Sequence, residues 1–144
     1  MSRSSRLLVL ALILALGAPI LADDDGAPTL EELDTAVERL LVERRRAGSD
    51  RLAERLDRRL ADLQVLRARR LGERGRAAEA ADAYERALRH VPAHRVASLE
   101  LGWLSIRQER DETARRVALD AAMAHPDDPH LEALLGELDY REDR

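Results

Sequence analysis

Small and helix-breaking residues recur along this chain with a single period, and that period limits the fold more than any other feature. Pro92 and Pro126 stand 34 positions apart, as do Ala80 and Ala114, and Ala87 and Ala121. The pair Leu101-Gly102 returns 34 positions later as Leu135-Gly136, and Ala68 precedes Gly102 by the same interval. A fixed period in this range means stacked copies of one helix pair, each too small to bury its apolar face alone. Small side chains at Ala68, Gly102, Gly136, Ala80 and Ala114 let neighbouring helices approach closely. The two prolines end one unit and aim the chain into the next.

The stretches between these markers read as helices. Thr29 with Glu32 three residues on makes a capping box, and Leu30, Leu33, Val37, Leu40 and Leu41 follow as one helical stripe. Arg44, Arg45 and Arg46 suit a helix C-terminus, and Gly48 suits the position after it. Ser49 or Asp50 caps a second helix with Leu52, Leu56, Leu60, Leu63 and Leu66 on one face, ending near 71–75. Further helices are predicted over 76–90 and 93–109, from a turn at 110–112 to His125, and from His130 to about Arg141. Aromatic residues are 2% of the chain (Tyr84, Trp103 and Tyr140), whereas sheets lean on aromatic and β-branched side chains. The predicted fold class is all-α.

Residues 61–144 resemble the tetratricopeptide repeat family. The first unit, about 61–94, carries the family pattern at Ala68, Ala80, Tyr84, Ala87 and Pro92, with Gly75 at the inter-helix turn. It departs at Gln64, Arg67 and Leu71, where the family has Trp, Leu and Tyr. The second unit, about 95–128, matches at Leu101, Gly102, Ala114, Ala121 and Pro126 and departs at Ser98, Ser105 and Ala118. From Pro129 the chain keeps Leu135 and Gly136 and has room for one closing helix. The resemblance implies a short right-handed helical solenoid of about two helix pairs plus that closing helix. Residues 23–60 fall outside the pattern, with Arg46 and Arg58 where Ala and Pro would stand. Two units are fewer than the roughly three that a stable array needs. The segment 29–60 is therefore expected to form an N-terminal helical hairpin over the open end. Gly48 interrupts it before enough heptads accumulate for a coiled-coil dimer.

Ahead of the helices, Arg3 and Arg6 precede an unbroken apolar run over 7–16. Gly17 and Pro19 break the run, and Ala22 leads into Asp23-Asp24-Asp25. This is the layout of a secretory signal peptide with cleavage after Ala22. The apolar stretch 7–21 is short of the roughly 20 residues that span a bilayer. The expected organisation is a signal peptide over 1–22, a linker over 23–28, the helical segment 29–60 and the repeats 61–144. The expected location is periplasmic or otherwise secreted, with no membrane span after cleavage. Absence of cysteine excludes disulfides, thiolate catalysis and Cys-ligated zinc. Net charge runs −6 over 23–42, +6 over 43–76 and −6 over 77–144. Nucleic acid is not an expected partner after export, and the basic middle is expected to face the chain's own acidic parts or solvent.

In the family, the first helix of each unit lines a concave face that holds the ligand. Helical spacing then nominates Val65 and Arg69, followed by Val96, Leu99, Trp103, Ile106 and Arg107, and then Ala133, Glu137, Tyr140 and Arg141. Aromatic and Arg side chains are enriched at binding hot spots. Val96, Leu99, Trp103 and Ile106 form an apolar strip on a helix whose Leu101-Gly102 face is already committed to the core. That is one apolar face too many for a solvated helix. The expectation is an exported, non-enzymatic adaptor or scaffold of the cell envelope, holding a protein or peptide segment in this groove. The alternative is a homodimer in which the groove or the N-terminal helix meets a second copy. The family's carboxylate clamp relies on Lys and Asn, and this chain has neither.

Little else carries chemistry. His90, His94, His125 and His130 fall near turns on one edge, in units separated by roughly 10 Å or more, too far apart to share a metal ion. Glu109, Asp111 and Glu112 are turn residues, and Ser98 and Ser105 lack a partner base. There is no phosphate loop or nucleophile motif. No catalytic residue, metal ligand or cofactor is expected.

Overall fold

A computed structural model describes residues 27–144, and the signal-peptide reading of 1–22 lies outside the described residues. The chain folds into α1 (Leu30–Arg45), α2 (Asp50–Glu73), α3 (Ala77–His90), α4 (Arg95–Arg107), α5 (Asp111–Ala124) and α6 (Pro129–Glu142). No strand occurs among the described residues.

Side-chain caps set four of the six helix starts. The Thr29 hydroxyl accepts from the Glu32 amide at 3.2 Å, and the Glu32 carboxylate accepts from the Thr29 amide at 2.9 Å, so the capping box closes reciprocally. Ser49 caps α2, His94 Nδ1 accepts from the Ala97 amide at the start of α4, and Asp128 accepts from the His130 amide at the start of α6. The turn after α2 passes through Gly75 at φ 73°, where glycine is unstrained. The corresponding turn after α4 passes through Glu109 at φ 57°, a left-handed conformation held by a residue with a Cβ.

Each helix packs chiefly on its neighbours in sequence, giving the stacked pairs of a short tetratricopeptide-like solenoid behind an N-terminal hairpin. The long α2 has 24 residues and spans about 36 Å. Its Leu56, Leu60 and Leu63 pack against Leu33, Val37 and Leu40 of α1. Its Ala61, Ala68 and Leu71 pack with Ala80, Ala83, Tyr84 and Ala87 of α3 and with Ala97, Leu101 and Leu104 of α4. Residues 60 and 61, at the sequence-level border between hairpin and repeats, both lie inside this helix, so the two regions share it. A third cluster joins Ile106, Ala114 and Ala118 to Leu134 and Leu138 of α6. Gly102 is needed here: a methyl group on it would lie 2.4 Å from Leu134 Cδ2.

A polar seam runs along the array, crossing between neighbouring units at separations just short of the repeat length. Asp57 meets His90 Nδ1 at 3.1 Å, and Asp62 meets His94 Nε2 at 3.1 Å. Arg69 donates to Glu100 at 3.0 Å, His125 Nε2 donates to the Ala93 carbonyl at 3.0 Å, and Arg95 holds Asp128 through both carboxylate oxygens. His94 accepts through Nδ1, so its proton sits on Nε2, facing Asp62.

Candidate partner-binding site

The first helices of the units, α2, α4 and α6, carry the nominated groove residues, and the structure divides them into two groups. Arg69, Trp103, Arg107 and Tyr140 are exposed, and Glu137 is partly so. Trp103 keeps 37% of its surface and Tyr140 keeps 57%. The Arg144 guanidinium lies 4.6 Å from the centroid of the Tyr140 ring and donates to its hydroxyl at 2.7 Å.

Val65 and Ile106 are corrections to the sequence reading. Both are buried: Val65 belongs to the core of α2, α3 and α4, and Ile106 to the core beneath α6. Val96 and Leu99 are half-buried against those same clusters. The physical reason is that α4 is an interior helix. It packs on α3 before it, α5 after it and α6 beyond, so an apolar residue on almost any side of it meets protein. The apolar strip is largely self-buried, and Trp103 is its one well-exposed member.

The structure also places a cleft that spacing alone did not reveal, lined on the α4 side by Glu100, Leu104 and Arg107. It has a volume of about 420 Å3 and opens between α2, α3 and α4. Its floor is built from small residues, Ala68, Gly72, Ala77 and Ala80, with Tyr84 and Leu104 as walls. Arg69, Glu73, Glu100 and Arg107 stand around it. A Cβ added at Gly72 would meet nothing within 4 Å, so no protein neighbour requires glycine there. Gly72 stands in the last turn of α2, one residue before the helix ends at Glu73, and its missing side chain leaves the cleft deeper.

The electrostatics of the cleft are mixed. Arg69 is paired with Glu100, and Glu73 accepts from Arg70 at 2.8 Å. Arg107, one turn beyond Trp103 on α4, makes no ion pair or hydrogen bond among the described residues. Burial pushes the Tyr84 phenol up to about 12, with the Glu100 charge adding to the shift and Arg69 and Arg107 opposing it. The phenol is thus a neutral hydroxyl at physiological pH. The arrangement combines a slot lined by small residues with one cation, Arg107, that has no ion pair among the described residues.

The other nominated groups have structural roles. His90, His94 and His125 are engaged in the inter-unit seam, and His130 starts α6 with its amide held by Asp128. No group of three His, Cys, Asp or Glu among the described residues is placed to hold a metal ion. Asp111 accepts from Arg141 at 2.9 Å, and Ser98 and Ser105 are fully buried. No helix among the described residues is long and apolar enough to cross a membrane.

Residues 73–138, from the end of α2 well into α6, match the family model described as tetratricopeptide repeat. No curated protein matches the chain.

Proposed function

Starting from residues 73–138 as a tetratricopeptide repeat segment, a type of module that mediates protein–protein interaction, we propose that this chain is an exported adaptor. It holds a segment of another protein on the face formed by Trp103, Arg107 and the neighbouring cleft. The observation that carries this reading is the open slot over Gly72. A Cβ added at Gly72, in the last turn of α2, would meet nothing from the packed neighbours within 4 Å. A slot of this kind accommodates a bulky side chain of the partner while Trp103 covers the adjoining backbone. Arg107 offers a charge-assisted hydrogen bond to a partner carboxylate. Tyr140 and Glu137 extend the surface along α6. The export part of the proposal is supported by the basic, apolar and small-residue order of residues 1–22. No reaction is assigned to the protein.

Site-specific photo-crosslinking in the native host tests the binding part. A photoreactive residue replacing Trp103 is expected to capture one predominant protein. Gly72→Leu fills the slot without touching the fold and is expected to reduce that capture about tenfold or more, while helix content stays unchanged. Crosslinking that persists at full strength with the slot filled, or that arises equally from Leu119 on the exposed face of α5, would sink this reading.

A further inference from the structure

The two ends of the helix stack carry surfaces of opposite character. In α4, Ser98, Gly102 and Ser105 are buried, and Leu134 of α6 is seated on Gly102. The residues one repeat later in α6 are Glu132, Gly136 and Asp139, and all three are exposed. They fall at steps of four and three as a stripe on one side of the helix, and Asp143, the residue that caps its C-terminus, follows four positions on. A Cβ at Gly136 would meet nothing within 4 Å, and Leu135 beside it is only partly buried. The stripe therefore keeps the small central position onto which α4 receives a leucine, and flanks it with carboxylates. Asp139 is engaged by Arg115 at 2.8 Å, whereas Glu132 and Asp143 make no ion pair among the described residues.

The complement stands at the opposite end of the same chain. Leu52, in the first turn of α2, is 43% exposed. Arg51 and Arg55 flank it, exposed and without an ion pair among the described residues, and Arg45 and Arg46 at the end of α1 add to the same hairpin tip. The segment 43–76 carries +6 and the segment 77–144 carries −6.

We propose that copies of this chain associate head to tail, with Leu52 of one copy seated at Gly136 of the next and Arg51 and Arg55 facing Glu132 and Asp143. Leu134 on Gly102 is the template for the apolar part of the contact, and charge complementarity selects the second copy as occupant. The two surfaces differ, so the contact is heterologous and leaves a free head and a free tail on every assembly. The assembly grows with concentration and shortens as salt rises. The contact does not use Trp103, Arg107 or the cleft of α2, α3 and α4, so Trp103→Ala leaves it unchanged.

Sedimentation velocity on the full chain, over a concentration series at low and high salt, tests the proposal. Association that weakens with salt is expected. The pair Glu132→Arg with Asp143→Arg, and separately the pair Arg51→Glu with Arg55→Glu, are each expected to weaken it about tenfold or more. Mixing the two variants restores it, because each then presents opposite charge to the other. Gly136→Trp blocks the seat in open space and is expected to abolish association while the circular dichroism melt holds. A full chain that stays monomeric throughout the series overturns the proposal. So does association indifferent to the charge reversals or to Gly136→Trp, or a variant mixture that fails to recover it.

Discussion

The hairpin and the repeats are held together by different kinds of core. Between α1 and α2 the buried residues are mostly leucines, Leu33, Leu40, Leu56, Leu60 and Leu63. Between α2, α3 and α4 alanine dominates, with Ala61, Ala68, Ala80, Ala81, Ala83, Ala87 and Ala97. A buried leucine stabilises by roughly 1.5–3 kcal/mol through the area it removes from water, and exchange for another apolar side chain of similar volume is tolerated. A buried alanine contributes less, but it lets helix axes approach towards the low end of the roughly 8–10 Å range. Any enlargement at such a position pushes two units apart. The hairpin therefore supplies stability to an array with few repeats, and the alanine core supplies its shape.

Opposite substitutions should break the two regions. Leu60→Ala, at a fully buried site of the leucine core, is expected to cost about 2–5 kcal/mol in denaturant unfolding. Ala87→Leu, at a fully buried site of the alanine core, is expected to cost about 1–3 kcal/mol by overpacking. Equal tolerance of enlargement in both cores would remove the distinction.

A smaller effect of opposite sign separates the two repeat units. Gly75 and Glu109 are 34 residues apart and both adopt positive φ, but only the first is glycine. Glu109→Gly is expected to stabilise the chain by about 1 kcal/mol, read as a rise in denaturant midpoint at constant slope. An unchanged or lowered midpoint would show that the second turn does not carry this strain.

The last contrast concerns pH. The hydrogen bond from Arg95 holds the Asp128 carboxyl below its ordinary value, and the His130 amide adds to this. A carboxyl with a depressed native pKa contributes stability that is present above its unfolded value, about 3.9, and is lost as pH falls through the native value. Thermal melts of the wild-type chain should therefore decline in acid below about pH 4 more steeply than those of Asp128→Asn, which has no carboxyl to protonate. Parallel curves would remove Asp128 from the seam's contribution to stability.

The repeat architecture was legible because its markers act locally. Pro92 and Pro126 end helices wherever they stand, and Gly102 announces a helix contact by its spacing, whereas Gly136, expected to do the same, is exposed with no neighbour against it. The capping box at Thr29 and Glu32 fixed the start of α1 for the same reason. The exposure of the nominated groove residues was legible only in part. Trp103, Arg107 and Tyr140 are exposed as expected, but Val65 and Ile106 are not. Helical periodicity cannot distinguish a helix with a spare apolar face from one enclosed on several sides, and α4 is the enclosed kind. The cleft was missed because its lining comes from three helices and its main feature is an absence of side chain at Gly72. The seam had a readable signal: opposite charges or His–Asp pairs at separations of 31–33 residues, as in Arg69–Glu100, Asp62–His94 and Arg95–Asp128.

The sharing of α2 between both cores has a consequence for the order in which the chain can fold as it is made. The partners of the leucine hairpin all lie before residue 74, as do the contacts of Asp34 with Arg67 and of the Pro28 carbonyl with Arg70. A chain that emerges N-terminus first can close this hairpin before any complete repeat exists. The far side of α2 then stands as a ready template for α3, and each later helix finds its main partner already in place. Growth by successive addition keeps contacts short in sequence, which is the condition for rapid folding. It also leaves only the newest helix with its apolar side uncovered at any moment during synthesis.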